Sequence, residues 1–319
     1  MKKQTKIWLI AATLLIVLGL MLFVAVMTAN HWDFSKINMV NYQTNTYIID
    51  KEFHNIEIKT DTADIFFVLS EDGLCKVVCH EKETTLYDVS VQDETLIVKV
   101  TTSKDWFQFG ISSESPKITV YLPENEYSSL LIRENTGDIE IPKEFQFQNI
   151  DITTSTGDIR NYASASEDIK IKTDTGDILT ENISAKNLTL SVSTGQINVA
   201  SIICKEVIEI NVSTGKSQLS DASCKNLISK GSSGDVFLSN LLASEKFFIE
   251  RNTGDVNFND CDANEIYIKT STGDVQGTFL SDKSFDATTD TGKVSVPKGT
   301  DGGKCEIVTD TGDITINIR

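Results

Sequence analysis

Apolar and polar positions alternate along most of this chain, in blocks that recur every 19 or 20 residues. The blocks align on ten glycines: Gly137, Gly157, Gly176, Gly195, Gly215, Gly234, Gly254, Gly273, Gly292 and Gly312. Seven residues before each glycine the side chain is always apolar, from Leu130 and Ile150 to Phe285 and Cys305. Five before, the row is again apolar, with Ser229 and Ala287 as its small exceptions. Two after, a β-branched apolar residue recurs, with Ser217 as the exception. Alternation with a period of two and one apolar face marks strands, not helices.

Between the flanking strands comes Ser, Asn or Asp, then Thr (once Ser233), then the glycine. Such a tight corner calls for a positive φ, which glycine alone adopts freely. The next position reads Asp138, Asp158, Asp177, Gln196, Lys216, Asp235, Asp255, Asp274, Lys293 and Asp313. Short polar side chains of this kind are expected to cap their own turn. A strand, a corner and a second strand cannot bury their apolar rows alone, so the units must stack. The pattern predicts an all-β chain: a right-handed parallel β-helix, or β-solenoid, of about 19–20 residues per coil.

The unit also occurs once earlier, at residues 56–67, with Ala63 in the place of the glycine. Residues 69–129 then interrupt the repeat, with strand-like runs at Cys75–Cys79, Asp88–Val100 and Lys117–Leu122. This insert is expected to fold as an antiparallel cap over one end of the solenoid. The chain stops at Arg319, seven residues past Gly312. That predicts a bare C-terminal edge, open to homo-oligomerisation or to a partner strand.

The N-terminal segment is of a different kind. Lys2, Lys3 and Lys6 precede an uncharged apolar run from Ile7 to Met27, long enough to cross a bilayer as a helix. The lysines place the N-terminus inside and everything after Thr28 outside. A cleaved signal peptide is the competing reading, but the run is long for one and no small-x-small site follows it. The resulting division is a cytoplasmic tail (1–6), a transmembrane helix (7–27), a linker (28–46) and the solenoid domain (47–319). Net charge is −17, from 29 Lys+Arg against 46 Asp+Glu. Without the three N-terminal lysines the balance is 26 against 46, or −20. So acidic a surface repels phosphate backbones and argues against nucleic-acid binding.

The Ser/Asp-Thr-Gly-Asp-Ile/Val unit, the early TDTADI and the stretch KITVYLPENEYSSLLIRENTGDI together resemble the bacterial "putative adhesin" domain of unknown function. The resemblance covers residues 45–319. It implies a parallel β-helix at the cell surface, often behind one N-terminal anchor, and brings no catalytic residues with it.

Candidate chemistry is sparse. Stacked carboxylates at Asp138, Asp158, Asp177, Asp235, Asp255, Asp274 and Asp313 could bind calcium. Lys216 and Lys293 break that row, and the Gly-Gly-x-Gly-x-Asp repeat of calcium β-rolls is absent. Cys204 and Cys224 fall in one row with Ala185, Ala243 and Ala263, which calls for small buried side chains and would permit a disulfide. Cys75 and Cys79 lie too far apart along a strand to share a metal. Trp106, Phe107 and Phe109 form an aromatic cluster in the insert, suited to plugging the core or touching a partner. The expected function is that of a surface interaction, adhesin-like or envelope-scaffold protein, with an envelope protein or a glycan as partner. The alternatives are a polysaccharide-active β-helix enzyme and an accessory to envelope-stress signalling. Uniform spacing counts against the enzyme, because catalytic clefts are built from irregular loops.

Overall fold

The structure, a computed structural model, describes residues 3–32, 41–103, 114–299 and 302–319. Its first element is a helix, α1 (Lys3–Ala29). The most apolar 18-residue stretch within Thr5–Ala29 has a mean hydropathy of 3.0 and is not buried by the rest of the chain. By length and composition it can cross a membrane. The strands that follow, from Tyr42 to Ile318, build a β-solenoid.

The coil around Gly195 shows how the sequence builds each layer. Its first side ends at Thr194, and its second runs from Ile197 to Ala200. A second corner follows at Ser201 (φ 57°), and a third side from Ile202 to Cys204. Leu188, Leu190, Ile197, Val199, Ile202 and Cys204 all point inward and are buried. Each lies above its counterpart in the next coil through parallel ladders, as in Leu188↔Ile208↔Leu227 and Ile197↔Ser217↔Val236. Burying an Ile or Leu side chain stabilises by about 1.5–3 kcal/mol, so these rows supply most of what holds neighbouring coils together.

The second corner recurs six residues after the glycine, at Asn182, Ser201, Asp221, Asn240 and Asp260, all with φ between 49° and 57°. Asn and Asp tolerate this left-handed region better than other non-glycine residues. The third corner absorbs the difference between coils of 19 and 20 residues. The ladder register slips there, between Ile203 and Val207 in one coil and between Ala243 and Lys246 in another. The extra residue is thus a bulge at a corner and leaves the buried rows in phase.

Both ends depart from sequential stacking. The N-terminal strands are β1 (Tyr42–Ile49), β2 (Asn55–Lys59), β3 (Asp64–Leu69), β4 (Cys75–Lys82), β5 (Thr85–Gln92), β6 (Thr95–Ser103) and β7 (Lys117–Leu122). β1 begins inside the stretch 28–46 that the sequence suggested as linker. β2 and β3 form the first coil, turning at Ala63. The later strands β6 and β7 lie parallel to them on the outside. β5 then covers β6, β4 covers β7 and β1 covers β4, all antiparallel. The insert is therefore a cap whose inner layer is itself a parallel coil. The run Asp88–Val100, expected as one strand, is a hairpin. Asp93 and Glu94, with φ of 48° and 56°, form its two-residue turn.

At the other end the expectation of an edge formed by the last strands is overturned. The strand Val256–Thr272 pairs with Gly303–Thr311, and that strand in turn with Lys283–Thr291. Likewise Val275–Phe279 pairs with Ile314–Ile318, which pairs with Val294 and Ser295. The C-terminal coil is thus inserted one layer in. The coil before it in sequence, residues 283–295, is the outermost.

Candidate functional sites

The corner glycines carry positive φ, 137° at Gly176. A Cβ there would overlap the carbonyl oxygen of Gly157 in the neighbouring coil. Two demands therefore coincide at this position: a left-handed backbone and a close backbone approach.

The aspartate after the glycine bonds between coils instead of within its own turn. Asp158 N–H donates to Asp138 Oδ1 at 2.9 Å and Asp177 N–H to Asp158 Oδ1 at 2.9 Å. The chain of bonds starts at Asp64 and ends when Gln196 N–H meets Asp177 Oδ1 at 2.8 Å. A second run links Asp235, Asp255, Asp274, Asp313 and finally the Lys293 N–H. Its last two bonds follow the inverted coil order. One carboxylate oxygen in each pair is thus committed to a backbone donor. Among the described residues no three His, Cys, Asp or Glu side chains converge as a metal cluster would require.

Three residues before the glycine, an inward row is mostly polar, interrupted by Val192, Val212 and Gly231. Thr173, Thr270, Thr289 and Thr309 each donate a hydroxyl to a glycine carbonyl of the adjoining coil, at 3.0–3.4 Å. Two charged residues occupy the same row. Arg251 is 3% exposed. Its Nη2 donates to Ser229 Oγ at 2.9 Å and Ser217 Oγ at 3.1 Å, and its Nη1 to the Glu250 carbonyl at 3.3 Å. A Cβ on Gly231 would overlap the guanidinium. Ser217 and Ser229, the two polar breaks in the apolar rows, are therefore the residues that hold Arg251, and Gly231 makes the room. Burial pulls this guanidinium down to about 10.

Glu134 lies in the same row near the cap and is 5% exposed. Its Oε1 accepts the Ala63 N–H at 3.0 Å, while Oε2 is buried with no hydrogen-bond partner. Desolvation raises its carboxyl to about 8. Asp64 and Asp138 add to the rise, and the Ala63 N–H opposes it. Glu81, fully buried in the cap, accepts from Asn45 Nδ2 and from the Tyr87 N–H.

All six cysteines are free and buried. Burial pushes the thiols of Cys75, Cys79 and Cys224 up to about 12, which keeps them protonated and unreactive. His80 lies on the face of β4 opposite Cys79 and stacks on Tyr42. Trp106, Phe107 and Phe109 lie outside the described residues. A cleft of about 670 Å³ opens where the third side of the solenoid ends, lined by Cys224, Leu242, Ala243, Ala263 and Lys283 among others. At its end the buried Lys283 Nζ pairs with Asp262 Oδ1 at 2.6 Å and meets Ser281 Oγ at 2.6 Å.

The family model Toastrack DUF4097 matches residues 53–207 and again 203–319. One similar solved structure is a "putative adhesin" from Bacteroides fragilis NCTC 9343. It is 16% identical, with 87% of this chain and 97% of the other covered at a TM-score of 0.40. Another, described as a "putative lipid binding protein" from Parabacteroides distasonis ATCC 8503, is also 16% identical. The match covers 75% of this chain and 95% of that one at a TM-score of 0.46. No curated protein matches the sequence.

Proposed function

The chain belongs to the Toastrack DUF4097 family, and on that premise we propose that it is a membrane-anchored solenoid displayed outside the cell, working by binding or scaffolding and not by catalysis. The observation that carries this reading is how the repeated polar groups are used. The aspartates and threonines that recur from coil to coil bond backbone groups of the neighbouring coil. Repetition therefore serves the wall and leaves flat sides for contact with a partner. The apolar helix α1 supplies the anchor, with residues 28–319 outside. An envelope protein or a glycan is the partner class that suits such a display. The charge of −20 after the anchor favours basic groups over polyanions.

The test is to incubate the full chain in detergent micelles with isolated cell-envelope fractions. Retention on envelope protein or glycan is expected, without release of reducing sugar ends. Steady release of reducing ends would replace the binding role with an enzymatic one. In this reading calcium has no structural part, and titrating it should leave the melting temperature unchanged.

A further inference from the structure

The outermost coil breaks the burial rule of its own repeat. Val294 is 44% exposed, whereas Val275 and Ile314, which share its row in the two coils beneath, are fully buried. Phe285 and Ala287 are only partly covered, although Ile266 and Ile268 at the same positions are buried. Above them nothing in the chain supplies another coil among the described residues. The strand Lys283–Thr291 is nine residues long and regular, with one side paired to Gly303–Thr311. It has no proline and no bulge, and its charges are Lys283, buried in an ion pair, and the exposed Asp286 and Asp290 on the outer face. The opposite end is closed by β1, β4 and β5.

We propose that this edge pairs with the same edge of a second copy, joining two solenoids end to end about a twofold axis. Two identical strands related by a twofold run antiparallel, and their side chains must keep to their own faces, so the axis passes through a residue. Centred on Ala287, all nine residues find partners. Phe285 then faces Thr289 of the partner subunit, and Ala287 faces Ala287 of the partner subunit, so the two interiors become continuous. On the outer face Ser284 meets Asp290 of the partner subunit, and Asp286 meets Thr288 of the partner subunit. Centring on Asp286 sets that carboxylate against its own copy, and centring on Thr288 sets Asp286 against Asp290 of the partner subunit twice. Like charges directly opposed are unfavourable in a ladder. Centring on Phe285 or Thr289 pairs only five residues of this strand. One register thus combines full length, a continued core and no opposed carboxylates, and it identifies the occupant of this edge as another copy of this chain.

The pairing does not depend on which side of a membrane the solenoid occupies. The test is cysteine cross-linking of the full chain in detergent micelles, with the wild type as control for the buried native thiols. Ala287→Cys puts two thiols across the axis at a Cα separation of about 4.5–5.5 Å, within disulfide range. It should give a covalent dimer under mild oxidation. Thr289→Cys places the pair about 13 Å apart along the strands and should not. Ala287→Asp should shift the sedimenting species from dimer to monomer, with the far-ultraviolet circular dichroism of the wild type retained. A wild-type chain that sediments as a monomer would overturn the proposal. So would a dimer that survives Ala287→Asp, or equal cross-linking of the two cysteine variants.

Discussion

Replacing Gly176 with Ala tests the corner at single-atom resolution. Gly176 sits at φ 137°, a conformation that costs a non-glycine residue about 1–3 kcal/mol. The added Cβ also overlaps the Gly157 carbonyl, which is main chain and cannot swing aside. To relieve the overlap the two coils must separate locally. That weakens the Gly157 N–H bond to the Thr175 carbonyl (2.9 Å), the Ile159 N–H bond to the Asp177 carbonyl (2.9 Å), and the Asp177 N–H bond to Asp158 Oδ1 (2.9 Å). At about 0.5–1.5 kcal/mol for each neutral bond and more for the carboxylate, the total comes to about 4 kcal/mol or more. Gly73→Ala is the control. Gly73 also has a positive φ, 71°, but open space around the position of a Cβ, so only the backbone term remains, about 1 kcal/mol. Hydrogen exchange read by mass spectrometry suits the question, because coils couple chiefly to their neighbours. Protection should fall across residues 157–195 in Gly176→Ala and persist in the cap. Equal effects from the two substitutions, or unchanged protection around Gly176, would refute the close-approach argument.

Arg251→Met, which removes a buried guanidinium with no carboxylate partner, should be neutral or stabilising in chemical denaturation. Ser229→Ala should cost about 1–3 kcal/mol by leaving that guanidinium short of an acceptor, and the double variant should recover the loss. Glu134 holds its proton up to about pH 8 in the folded state, against about 4.5 when unfolded. Between those values the unfolded chain has lost a proton that the folded chain keeps. Stability should therefore fall as pH rises across that window, by up to about 1.4 kcal/mol per unit, and level off above it. Glu134→Gln should remove that slope when the two proteins are compared by denaturant titration. Truncation after residue 302 should unseat the outer coil, because Lys283–Thr291 rests on the C-terminal strand Gly303–Thr311. Proteolysis should then trim back to about Phe279, whereas survival of residues 283–299 would mean that they stack directly on Val256–Thr272.

The buried rows and the first corner were legible in the sequence because each repeats a local rule: alternate apolar residues and a glycine at a fixed offset. The second corner carried a readable signal too, an Asn, Asp or Ser six residues after the glycine, at Asn182, Ser201, Asp221, Asn240 and Asp260. Coil order was not legible. The spacing from Gly273 to Gly292 and on to Gly312 is the same whether coils stack in sequence or exchange places, and only non-local pairing decides. The turn at Asp93–Glu94 lacks the glycine that marks most two-residue hairpins, so Asp88–Val100 read as one strand. Ser217 and Ser229 stood out as breaks in different rows, but their common partner lies 34 and 22 residues further on. The aspartate row is legible as turn chemistry, yet its hydrogen bonds cross between coils, a relation that one repeat alone does not contain.

An anchored solenoid displayed outside the cell is open to protease in intact bacteria expressing the full chain. With a tag at the N-terminus and an antibody against the solenoid, shaving should release the region after Thr28 and leave the tagged anchor with the membrane. A solenoid fully protected in intact cells, and cut only after lysis, would contradict the account.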